Sequence, residues 1–344
     1  MTSGWPRLWL SSARNRERLA APRRPGLSET ALHRRQHRRA LLLLLTVVLA
    51  WGTMWPVNKA LLAYMPPIWS VALRTYVSML VLFVISITVT GLARPKRQDA
   101  PVLVSMVVLH MVAFTILSQL ALQLVPAGRS AVLAYTSVLW APLGAALILG
   151  ETLSLRRILG LGIGILGLLV IFNPLTFDWG DRRAVAGNAA LLLAAVLWAA
   201  SILHNRAHVW HSRPFALAPW QALLAAGLLT LAALSIEGLP VVTWSARSLL
   251  LLLFAGIPGT ALAYWAAAVS SSQLPASTTA LGLLATPAVS VAVALVLLGE
   301  EPTLPLITAL ALLIGGIAVG ASGGARPAGP LSTKPKLPSR ASGA

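Results

Sequence analysis

What most limits the fold of this chain is a series of ten apolar stretches, separated by short breaks that hold most of the charge between the two ends. Each runs for roughly 18–24 residues, and at about 1.5 Å per residue such a helix crosses about 30 Å of hydrocarbon. Lipid also tolerates closed barrels, but these stretches do not alternate between apolar and polar residues. The chain is therefore expected to be an all-α polytopic membrane protein. Composition agrees, with 57% apolar and 10% charged residues. Soluble domains carry about 25% charged residues, so a soluble globular protein, a disordered chain and a coiled coil are all excluded. The sequence holds no cysteine, which removes disulfides, thiol catalysis and cysteine metal sites.

The ten expected helices are 40–61, 68–90, 101–124, 130–149 and 155–172, then 187–203, 215–235, 247–269, 275–298 and 304–320. Turn and charge signals mark the breaks, among them Pro66-Pro67, Pro126-Ala127-Gly128, Arg156-Arg157 and Glu300-Glu301-Pro302. Residues 1–39 form an arginine-rich segment whose apolar run is too short and broken for a signal peptide. It reads as a disordered basic tail, with a stretch near 31–40 able to lie as a helix on anionic lipid. Residues 322–344 are rich in Pro, Gly and Ser and read as a second flexible tail. The net charge of +18 lies mostly in these tails and on one side of the spans. Anionic headgroups, not nucleic acid, are its expected partner.

Placing the N-terminus in the cytoplasm puts 21 of the 27 Lys and Arg on the inner side, four outside, and Lys59 and Arg74 within spans. The positive-inside rule thus sets both termini in the cytoplasm of a cell-membrane protein.

The two halves echo each other. Trp51 precedes Lys59 by eight, and Trp198 precedes Arg206 by eight, an offset of 147. Pro67 and Arg74 are matched at the same offset by Pro214 and Gln221. Pro126-Ala127 and Pro275-Ala276 each lie 25 before the glutamate of a shared phrase, Leu149-Gly150-Glu151 and Leu298-Gly299-Glu300. Rare residues agreeing in order at near-constant offset do not arise by chance in a leucine-rich chain. Five helices is an odd number, so the second half enters the membrane from the opposite face, making two inverted five-helix repeats.

On these residues the chain resembles an EamA-type member of the drug/metabolite transporter superfamily. Asn173-Pro174, Gly187-Asn188, Ala199 and Pro287 add to the likeness, which covers about 40–320. The resemblance implies a first repeat over 40–173, a connecting loop over 174–186 and a second repeat over 187–321. It also implies a central cavity lined by helices one to four and six to nine, with five and ten at the periphery. One departure stands out. Pro287 lies 13 before Glu300, whereas the first half has Pro142 only nine before Glu151, so proline spacing gives no reason for the halves to bend alike.

Arg74 is the sharpest site candidate. A guanidinium at its depth costs about 2.5–3.5 kcal/mol on insertion scales unless it faces water or a partner. It reads either as a cavity group for an anionic or carboxylate-bearing substrate or as a structural tie. Lys59 can snorkel to the outer headgroups, and Arg206 reads as an inner anchor. Trp51 and Trp198 sit mid-helix, as cavity lining or packing bulk. Asn58, Gln119, Gln123, Tyr135, Thr136, Gln221, Tyr264, Thr278 and Thr279 are the polar residues from which a pathway would be drawn. His110 reads more readily as a packing residue than as a proton relay. His204, His208 and His211 cluster without an acidic ligand nearby in sequence, so no metal site is expected. Glu151 and Glu300 sit badly with the helix dipole, and capping the next helix is the simplest account. Gly160, Gly164, Gly167 and Gly315-Gly316 form small-residue faces for packing or for a homodimer.

The expected function is secondary transport of a small metabolite, amino acid or drug-like solute by alternating access, with export implied by the family likeness. A nucleotide-sugar or lipid-linked-sugar carrier is the alternative within the superfamily, and a non-transporting receptor or scaffold is a remote one. Neither HExxH nor GxSxG occurs and no paired intramembrane aspartate is present, so no enzyme and no cofactor are expected.

Overall fold

The computed structural model describes residues 27–173, 177–212 and 214–321. These form helices and connecting turns, with no strand among the described residues. In chain order the first repeat contributes α1 (Leu27–Leu61), α2 (Pro67–Val89), α3 (Arg97–Leu122), α4 (Ala127–Leu149) and α5 (Leu155–Ile171). The second contributes α6 (Arg182–Ala207), α7 (Phe215–Ile236), α8 (Ala246–Gln273), α9 (Thr278–Leu298) and α10 (Leu304–Ala321). Nine helices among the described residues are long and apolar enough to cross a membrane. The tenth, α5, has 17 residues and is about 26 Å long.

Two ends differ from expectation. α1 begins at Leu27, not Ala40, because no Gly or Pro interrupts the chain between Gly26 and Gly52. Residues 27–39 of the expected tail are thus helical, while 1–26 and 322–344 lie outside the described residues. α6 begins at Arg182, five residues early, because the Asp181 side chain accepts from the backbone N–H of Arg183 and Ala184.

Apolar side chains face outward, as lipid demands: Leu80, Leu147, Leu169 and Val296 are well exposed. Polar ones turn inward, with Ser70, Thr75, Ser78, Gln119 and Ser130 all buried. The packing follows the repeat. α1 packs on α9 and α8, and its counterpart α6 packs on α4 and α3. α2 lies against its own counterpart α7, and α5 against α10. Exchanging the two halves leaves this set of contacts unchanged, as two inverted repeats require.

The small-residue faces of α5 and α10 are used within the chain. A methyl on Gly160 would run into the backbone of Gly316 and Gly320, and one on Gly316 into that of Gly160 and Gly164. Gly315 has open space around it.

Both halves break their fourth helix at one residue. Thr136 has φ −61° and ψ −13°, and Leu284 has φ −63° and ψ −23°. At the second break Pro287 removes a backbone donor and crowds the carbonyl four residues back. At the first no proline stands in register; instead the Thr136 hydroxyl donates to Leu133 O at 2.6 Å, and Leu139 N–H bonds Thr136 O at 2.8 Å. The halves therefore bend alike despite their different proline spacing.

Candidate functional site

Residues of α1, α2, α3, α4, α6 and α8 enclose a cavity of about 290 Å³ between the two halves. Two helices reach it through irregular backbone. α3 winds as a π-helix over Met106–Phe114 and α8 over Ile257–Leu262, and the second range falls inside the first when 149 is subtracted from it. The wider turn swings His110, Met111 and Phe114 on one side and Gly259 and Thr260 on the other toward the cavity. Pro258 marks the second stretch in sequence, and the Thr260 hydroxyl bonds Ala255 O at 2.7 Å, five residues back. No comparable signal marks the first stretch.

Of ten expected site residues, Trp51, Asn58, Lys59, Arg74, Gln119, Tyr135, Trp198, Gln221, Tyr264 and Thr278, seven line the cavity, all but Lys59, Gln221 and Thr278. Trp198 stacks flat on His110 with centroids 5.3 Å apart, while Tyr135 meets it edge-on at 5.7 Å. Trp51 and Tyr264 form a second edge-on pair at 5.8 Å. His110 is thus part of an aromatic wall lining the cavity, where the sequence favoured packing over a proton relay. Trp55, Phe114, Ser201, Asn205 and Thr260 also line the space and carried no distinguishing sequence signal.

Arg74 Nη1 lies 3.4 Å from Thr260 Oγ1, and its Nε is buried without a hydrogen-bond partner. No Asp or Glu belongs to the cavity wall among the described residues. Asn58 Oδ1 is likewise buried and unpartnered. Gln119 is already engaged, donating to Asn58 O at 3.1 Å and to Ser70 Oγ at 2.9 Å.

The other three expected residues are elsewhere. Gln221 is buried beside the cavity, with Nε2 3.5 Å from Met106 Sδ. Thr278 is on α9, which contributes no lining residue, and neither does α7. Lys59 is paired within the protein. Its Nζ donates to Val125 O at 2.8 Å and lies 3.5 Å from Glu300 Oε1.

Glu300, in turn, does not cap the next helix. Its two carboxylate oxygens accept the backbone N–H of Ala127 at 2.8 Å and Gly128 at 3.1 Å, at the start of α4 in the other half. A carboxylate on a helix N-terminus is favoured by both hydrogen bonding and the dipole. The following helices are served by Ser154 and Thr303, whose hydroxyls accept from Arg157 and Leu306. Glu151 pairs with Arg206 at 3.3 Å, so Arg206 is more than a surface anchor. Gly150 and Gly299, with φ +66° and +67°, end α4 and α9 in the left-handed conformation that glycine adopts without strain. Glu300 meets the start of α4 and Glu151 follows its end, so the two ion pairs sit on opposite faces. They are related by the repeat: Lys59 corresponds to Arg206 and Glu300 to Glu151.

A carboxylate outside the phrase ties the Glu300 face as well. Glu237, at the end of α7, accepts from the backbone N–H of Ile68 at 2.8 Å and Trp69 at 3.0 Å at the start of α2.

The model of the EamA-like transporter family matches residues 38–173 and again 185–320. The chain is 23% identical over 279 residues to the uncharacterized transporter YoaV of Bacillus subtilis, covering 81% of this chain and 95% of that one. It is 28% identical over 295 residues to a probable amino-acid metabolite efflux pump of Salmonella typhimurium, covering 82% and 94%. A protein known by crystal structure superposes with a TM-score of 0.61 at 24% identity, covering 81% of this chain and 95% of that one, which shows a shared fold. Two matched repeats, an interlocked ten-helix architecture and a cavity between the halves lead to one statement: the chain belongs to the EamA-like transporter family.

Proposed function

We propose that the protein is a secondary carrier that exports a small carboxylate-bearing metabolite of the amino-acid class, with both termini in the cytoplasm. The observation that carries this reading is Arg74, a half-buried cation in the cavity between the halves whose Nε is buried without a partner, with no carboxylate in the cavity wall among the described residues. A guanidinium removed from water demands an anion, and a substrate carboxylate matches its forked donors. The buried acceptor Asn58 Oδ1 suits an ammonium group, and the aromatic walls suit an apolar side chain. The relative named as an amino-acid metabolite efflux pump supports both the substrate class and the direction. A nucleotide-sugar brings two phosphates, for which a single arginine is a poor match.

Alternating access is supported by the paired latches. The Lys59–Glu300 end is closed by four close contacts, and nearby lining residues Trp55, Ser118, Gln119 and Leu122 are buried. At the other end Arg206 and Glu151 are 50% and 36% exposed, and Met106, Ile202 and Asn205 are half-buried. This is the arrangement of a carrier shut toward the outside, with the repeat-related latch ready to take over in the opposite state.

The test is uptake of radiolabelled amino acids into liposomes holding the pure protein. Wild type should show saturable flux and counterflow, and Arg74→Ala should lose it at equal reconstitution. Normal flux in Arg74→Ala would remove the substrate assignment, and no flux in wild type across the amino-acid panel would remove the carrier reading.

A further inference from the structure

The strongest feature outside the cavity joins the two halves on the Glu151 face. Asp99 lies in the first turn of α3 and is fully buried. His208 and His211 follow the end of α6, 109 and 112 residues later in sequence. The fold brings all three together. Asp99 Oδ1 lies 2.9 Å from His208 Nε2 and 3.4 Å from His211 Nδ1, and it also accepts the His211 backbone N–H at 3.0 Å. The three ligand atoms fall within 4.8 Å of one another. Every one of these contacts converges on a single oxygen. The other, Oδ2, is buried and makes no hydrogen bond of good geometry, and the Ser212 hydroxyl lies beside the carboxylate.

We propose that Asp99, His208 and His211 form a binding site for a zinc-class divalent transition metal. Two imidazoles and a carboxylate are a donor set that such ions favour, leaving a fourth position for water. Bonds of about 2.0 Å in tetrahedral geometry separate ligand atoms by about 3.3 Å, and the 2.9 Å and 3.4 Å separations already bracket that value. On binding, each imidazole presents as a lone pair the nitrogen that now faces Asp99 and carries its proton on the other. Oδ2, which makes no well-formed hydrogen bond, is available as a second carboxylate ligand atom. The site is held stiffly. Trp210 meets His208 edge-on at 5.2 Å and packs with Leu103, Val107 and Leu217, which fixes the turn carrying both histidines. Arg94, Lys96, Arg97 and Arg206 lie within five residues of a ligand in sequence and make these segments basic. Hard cations bound by charge alone are therefore disfavoured, and imidazole ligation selects zinc, cobalt or nickel over calcium and magnesium.

Asp99 belongs to the first repeat and both histidines to the second, so a bound ion staples the halves together. In the proposed carrier, and resting on that reading, occupancy opposes rocking and slows transport.

Isothermal titration of tag-free, chelator-treated full-length protein with Zn²⁺ tests the site itself, independent of any transport. One equivalent should bind with micromolar affinity or tighter, with no response to Ca²⁺ or Mg²⁺. Asp99→Asn and His208→Ala/His211→Ala should weaken binding at least tenfold, while His204→Ala leaves it unchanged. Should those variants fail to fold, Co²⁺ added to wild type should give the visible absorption of a tetrahedral nitrogen–oxygen site. The absence of saturable zinc binding, retention of full affinity in the double variant, or an octahedral aqua-type cobalt spectrum would each reduce the cluster to a hydrogen-bonded tie and overturn the proposal.

Discussion

Replacing Glu300 by alanine separates the two ion pairs that the repeat makes equivalent on paper. In the structure Glu300 accepts two backbone N–H groups at 2.8 Å and 3.1 Å, and Lys59 lies at 3.5 Å. Hydrogen bonds to a charged group contribute about 1.5–3 kcal/mol each, so the two caps alone give roughly 3–6 kcal/mol. Glu300 is only 19% exposed, so screening is limited, and the lower end, about 3 kcal/mol, is a conservative figure. That corresponds to a shift of roughly 150-fold in an equilibrium between two states. The counterpart Glu151–Arg206 pair is 36% and 50% exposed, and exposed pairs contribute about 0–1 kcal/mol. The chain has no cysteine, so Ser118→Cys supplies a single thiol on the cavity wall, buried at 6% exposure. Its labelling by an impermeant maleimide from the outer face should be slow in the parent. With Glu300→Ala it should rise at least tenfold, and with Glu151→Ala it should not. Equal labelling rates in the two double variants, both eluting as folded protein, would refute the assignment of Glu300 as the closing contact.

Three further outcomes follow from the same geometry. Glu237→Ala should lower stability by about 2–3 kcal/mol in detergent unfolding, since it strips two backbone donors at the start of α2; an unchanged midpoint would show those donors finding other partners. Gly160→Ala should destabilise by about 1–3 kcal/mol because the new methyl meets backbone of α10, while Gly162→Ala, with open space around it, should be neutral or slightly stabilising. Equal melting points for the two would contradict the α5–α10 contact. Arg74→Lys should retain part of the transport that Arg74→Ala loses, with a raised KM, because a lysine keeps the charge but not the fork; full wild-type KM would argue against a bidentate carboxylate.

Much of the fold was legible in sequence because crossing a membrane is decided segment by segment. Each apolar run is favoured by its own transfer from water, whatever its neighbours do. The repeat was legible for a related reason: Gly150 and Gly299, or Trp51 and Trp198, do equivalent local work in each half and so recur at a constant offset. The cavity was partly legible, since a polar residue such as Arg74 or Asn58 in an apolar run has few places to go. Lys59 escaped this logic, because snorkelling and pairing satisfy an ammonium equally well until its neighbours are known. Gln221 and Thr278 were polar in the right places along their helices, but Gln221 turns to Met106 of α3 and Thr278 stays out of the cavity wall.

By itself, then, the sequence determined the all-α membrane-spanning character, the internal repeat and most of the polar residues between the halves. Those are properties of single segments in a solvent that permits few alternatives. Only the tertiary structure decided that Glu300 caps a helix 172 residues away, that a threonine replaces a proline at the first bend, and that Asp99 meets His208 and His211. Such pairings depend on which helices become neighbours and on the rotation of each about its axis. That information resides in the packing of all ten helices together, and no spacing within one of them encodes it.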